Sequence, residues 1–90
     1  DTTMHAVFVS VAVHDRDAAV KELQEQVVPT VSSAPGFVAG YWVALPEGKG
    51  SGTIVFDSES AAQAAAAQVG AAREAVTIES VVVGEVVASA

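Results

Sequence analysis

The ten residues Ala34-Pro35-Gly36-Phe37-Val38-Ala39-Gly40-Tyr41-Trp42-Val43 limit the folds open to this chain more than any other stretch. Pro35 has no backbone N–H and cannot extend a helix, and Gly36 accepts the backbone angles of a sharp turn. From Phe37 to Leu45 the residues are aromatic, β-branched or small, as suits a half-buried strand. A helix arriving at this point must stop and hand the chain straight to a sheet.

On either side of this junction the apolar residues keep two distinct periods. In residues 4–13, His5, Val7, Val9, Val11 and Val13 fall on one face, and Met4, Ala6, Phe8, Ser10 and Ala12 on the other. Neither face is polar, so this strand belongs in the middle of a sheet, covered on both sides. Asp15 then suits the cap of a helix, with Asp17 near the positive end of its dipole. Val20, Leu23, Val27 and Val31 make a narrow apolar stripe, opposite Lys21, Glu22, Glu25 and Gln26. Pro29 predicts a kink or break.

Beyond the Phe37–Leu45 strand, residues 46–50 read as an exposed hairpin loop. Residues 51–56 read as a third strand with Ile54 and Phe56 on one face. Asp57 or Ser58 caps a second helix, Glu59 lies in its first turn, residues 61–69 form its body and Gly70 stops it. Its alanines give high helix propensity and a smooth face, which either approaches a sheet closely or leaves room between. Residues 71–75 read as a frayed turn or a loop. The last strand, residues 76–88, puts Ile78, Ser80, Val82, Gly84 and Val86 on one face and Glu79, Val81, Val83 and Glu85 on the other.

The element order is therefore β-α-β-β-α-β, an α+β chain. Two right-handed βαβ units give the ferredoxin-like arrangement, a four-stranded antiparallel sheet with two helices on one face. Residues 1–3 read as a tail and residues 4–90 as one domain. Such a sheet leaves a bare apolar face, and the chain is 51% hydrophobic over only 90 residues. Pairing two bare faces across a two-fold axis removes the liability, so a homodimer is expected.

Eleven acidic residues against four basic ones give a formal charge of −7. That argues against nucleic acid and anionic membrane surfaces, which require Lys and Arg clusters. There is no Cys, hence no disulfide framework, thiolate nucleophile or Cys metal site. No apolar run approaches the ~18–20 residues that span a bilayer. The first residues lack a basic stretch before an apolar core, so the expected location is cytoplasmic.

Few side chains suggest chemistry. Tyr41 and Trp42 are each single in the chain and, as strand neighbours, point to opposite faces, so they cannot line one pocket together. Either is a seam aromatic or a platform for a flat aromatic ligand. His5 and His14 lie about 30 Å apart on a regular strand and cannot share a metal. His14 reads as a solvated turn residue. His5, on the valine face, is either a structural histidine or a base. Glu79 and Glu85, about 20 Å apart, are too distant for paired acid–base work. The glycines of 48–52 sit in a hairpin and not between a strand and a helix, so they make a turn and not a phosphate loop.

The Val-rich first strand, the run Val28-Pro29 to Pro35-Gly36-Phe37, the Gly40-Tyr41-Trp42 strand and Phe56-Asp57-Ser58-Glu59 together resemble the dimeric α/β-barrel superfamily, and within it the antibiotic-biosynthesis-monooxygenase-like group. The superfamily holds cofactor-independent quinone-forming monooxygenases, haem-degrading enzymes, small isomerases and members without known activity. The haem-degrading branch carries an Asn, a Trp and a His at the positions held here by Val9, Phe56 and Ala65, so its chemistry is not expected. What those positions leave is an apolar lining between sheet and second helix. The resemblance implies one of two roles, neither needing a metal or flavin. One is a non-catalytic dimerisation or hydrophobic small-ligand-binding module. The alternative is a cofactor-independent monooxygenase-like enzyme acting on a flat, polyketide-like aromatic. Trp42, Tyr41, His5 and Phe56 are the candidate binding residues.

Overall fold

The computed structural model describes residues 3–69 and 76–88. Its element order is β1 (His5–Val13), α1 (Arg16–Glu22), a π-helical segment (Leu23–Val27), α2 (Val28–Ser32), β2 (Phe37–Leu45), β3 (Lys49–Phe56), α3 (Glu59–Val69) and β4 (Val76–Glu85). The strands form one antiparallel sheet in the order β2-β3-β1-β4. The helical segments lie on one face of it, as an α+β, ferredoxin-like chain should. The expectations for Gly70 and residues 71–75 fall outside the described residues, as do Asp1 and Thr2.

The sheet's helix-facing side carries the core. Val7, Val9, Ile54, Phe56 and Ala62 are buried together, and Val81, Val83, Phe37 and Trp42 pack against them. Phe37 meets Phe56 edge-on, with centroids 6.2 Å apart and planes at 81°. Ser58 caps α3: its Oγ accepts from the Ala61 N–H at 3.2 Å. Ala62, fully buried, brings the alanine face of α3 directly onto the sheet. At the preceding turn Gly36 has φ +81, and a side chain there would strike Asp57 and Ala61. The Asp57 N–H donates to the Gly36 carbonyl at 2.8 Å, so the Pro-Gly junction is pinned to the start of α3.

Three local features differ from the sequence reading. The irregularity expected at Pro29 lies before it, where the Val28 N–H donates to the Leu23 carbonyl five residues back. A proline ring crowds the carbonyl four residues earlier, and a widened π turn relieves that crowding while α2 restarts with Pro29 in its first turn. The hairpin loop is shorter than 46–50: Leu45 pairs with Lys49, and Glu47 and Gly48 take positive φ. In β4 the register shifts between Ser10 and Val11, so that Ser10 pairs with Ser80 but Val11 with Ile78. This bulge turns Ile78 to the helix side, opposite Val82, and frees Glu79 to reach Lys49 at 2.8 Å.

Among the described residues no element covers the other sheet face. Tyr41, Thr53, Phe8 and Val82 stand in register across all four strands. Tyr41 is 67%, Phe8 46% and Val82 57% exposed. Thus β1 is central, as expected, but covered by the described elements on one side only.

Candidate functional site

A wide space lies between the helical segment 16–32 and the sheet. Here α3 packs on the strands while α1 and the π segment stand away from them. The result is a cleft of about 810 Å³. Its floor is Val9, Val11, Ile54 and Trp42; its walls are Leu23, Val27 and Val31 on one side and Ala61 and Ala65 of α3 on the other.

The floor is shaped by missing side chains. Gly50 and Gly52 of β3 and Gly40 of β2 face the helix side, on the same rows as Val11, Val9 and Val7. The Trp42 indole lies down over two of them. A Cβ at Gly52 would come 3.1 Å from Trp42 Cδ1, and one at Gly40 would come 2.9 Å from Trp42 Cη2. A Gly40→Ala substitution is therefore expected to lift the indole into the cleft. It should shift Trp42 emission and cost about 1–3 kcal/mol by overpacking, read by fluorescence and thermal melting. An unchanged spectrum would mean the ring does not rest on Gly40.

Of the four residues singled out in the sequence, the cleft brings together two. Trp42 and Phe56 line it. Tyr41 points to the bare face, as strand alternation requires. His5 pairs with Phe56 and Glu85 at the far end of β1, outside the cleft lining, with its Nε2 3.7 Å from Glu59 Oε2 and its Nδ1 3.3 Å from the Thr3 carbonyl. His14 Nε2 is 2.6 Å from Thr77 Oγ1 at the opposite end. Residues that the sequence reading passed over also line the cleft. Gly50 and Gly52 belong to β3 and not to a turn, and Arg16 stands at the start of α1. A legible signal existed for Arg16, since a cation in the first helical turn opposes the helix dipole.

Polar residues line the cleft along the helical segment (Glu22, Gln24 and Thr30), on β3 (Ser51) and at both ends. Arg16 stands where β1 runs out, and Asp57, Ser58 and Ser60 stand where β3 runs into α3. No buried side chain among the described residues is polar or charged. No three His, Asp or Glu side chains among them are placed to hold a metal ion. The arrangement can enclose an apolar molecule and meet polar groups at its two ends. Among the described residues no helix is long and apolar enough to cross a membrane. No protein-family model, curated protein or solved structure matches this chain.

Proposed function

We propose that this chain is a non-catalytic module that holds a hydrophobic small molecule between residues 16–32 and the sheet, and that it pairs with a second copy of itself through the bare sheet face. The observation that carries the first half is the cleft. Its 810 Å³ falls within the range of small-molecule sites, and most of its lining is Val, Leu, Ala, Ile, Gly and Trp. An apolar gap of that size is costly when filled only by water. Kinship with dimeric α/β-barrel proteins belongs to the same reading. It is supported by the element order, by the strand order and by helices on a single face. Fold likeness alone is a weak warrant for activity.

The alternative, cofactor-independent oxygenation of a flat aromatic, needs a base beside the substrate. Neither His5, His14 nor Tyr41 lines the cleft, and its described lining carboxylates are Glu22 of the helical segment and Asp57 before α3. Binding without chemistry asks less of these residues.

Titration with pyrenebutanol, a neutral and flat hydrophobic probe, tests the reading. Trp42 emission should fall as the probe fills the cleft, and the melting temperature should rise, since a ligand at a hundred times its Kd stabilises by about 2.7 kcal/mol. Ala65→Phe, which projects a ring into the cleft from α3, should weaken that binding at least about ten-fold. Binding untouched by Ala65→Phe would place the probe elsewhere, and no binding at all would count against the cleft as a ligand site.

A further inference from the structure

The cleft is long as well as apolar. It is lined along β3 from Gly50 to Phe56, a run of about 20 Å at strand rise. Its two ends differ in charge. Arg16 is the one cation among its described lining residues, and it sits at the end where β1 finishes. Two carboxylates also line the cleft among the described residues: Glu22, about 9 Å further along the helical segment at helical rise, and Asp57, past the other end of β3.

Arg16 is hard to explain as a structural residue. It is exposed and has no ion-pair partner among the described residues. It occupies the first position of α1, where the partial positive charge of the helix start repels a cation. Its neighbour Asp15 is committed to the cap, accepting from the Ala18 N–H at 3.1 Å, and neither Asp15 nor Asp17 lines the cleft. In a chain of net charge −7, a guanidinium with no ion pair among the described residues thus lines an apolar channel at the end opposite Asp57.

We infer that the molecule held in the cleft is an elongated hydrophobic acid, with its carboxylate on the Arg16 guanidinium and its apolar body lying along the glycine-floored channel towards Phe56. This rests on the ligand-binding reading above and adds the chemical class and orientation of the ligand. A guanidinium presents paired N–H donors that match a carboxylate's two oxygens, an interaction that a neutral isostere cannot make.

The test compares pyrenebutyric acid with pyrenebutanol, which differ only in the terminal group. Both are titrated into the wild-type chain, Arg16→Gln and Arg16→Lys, with Trp42 emission as readout and circular dichroism confirming an unchanged fold. The wild type should bind the acid about ten-fold or more tightly than the alcohol. Arg16→Gln should abolish that preference while leaving the alcohol's affinity within about two-fold, because the apolar contacts remain. Arg16→Lys should keep part of the preference. If both probes bind the wild type equally, or if Arg16→Gln keeps the full preference, the assignment of an acid to Arg16 fails and the cleft reading stands. If neither probe binds, both fail together.

Discussion

Replacing Phe56 by Ala is expected to remove about 3–5 kcal/mol of stability. Among the described residues, Phe56 and Val7 are the largest fully buried side chains. It closes the end of the sheet against α3, holds Phe37 edge-on at 6.2 Å, and forms part of the cleft floor. A 90-residue domain has only about 5–13 kcal/mol in total, so the variant keeps little margin. Chemical denaturation should show a lower midpoint with an unchanged slope, and thermal melting should fall by more than about 12 °C. Phe56→Leu, which keeps most of the volume, should cost less than half as much. A loss below about 1 kcal/mol for Phe56→Ala would mean that α3 does not close on the sheet at this residue.

The strands and their faces were legible because alternation survives almost everywhere. The valines at 7, 9 and 11 and the pair Ile54 and Phe56 all lie on the helix side. The Pro35-Gly36 junction was legible because only glycine accepts φ +81 with Asp57 and Ala61 so close. What escaped was whatever depends on a one-residue slip or on the distance between elements. The bulge near Glu79 carries no glycine or proline to announce it, yet it moves Ile78 across the sheet. The π segment belongs to Pro29 but appears one turn earlier. The cleft is a separation, set by how far residues 16–32 stand from the strands, and no periodicity encodes a separation. Its floor did leave a trace: Gly50 and Gly52 alternate in step with the inward residues of β3, and the indole that needs their space lies across from Gly52.

Replacing Phe8 by Asp is expected to raise the dissociation constant of the proposed dimer by about a thousand-fold. Phe8 lies on the central strand, in the row Tyr41-Thr53-Phe8-Val82 that crosses the whole bare face. In a two-fold interface every residue occurs twice, so one substitution removes two buried rings and places two like charges near the axis. A truncated interface anchor costs about 2 kcal/mol or more, and doubling that gives the stated factor. The folded single chain should tolerate the change, because Phe8 is already 46% exposed there. Sedimentation at tens of micromolar should give the mass of two chains for the wild type and of one for Phe8→Asp, with the same circular dichroism. Tyr41→Asp, in the same row but at the sheet's edge, should have a smaller effect in the same direction. Gln63→Asp, on the exposed side of α3, should have none. A wild-type chain that sediments as a monomer, or a Phe8→Asp variant that stays paired, would show that a second copy does not cover this face. The exposed row would then be available to a different partner.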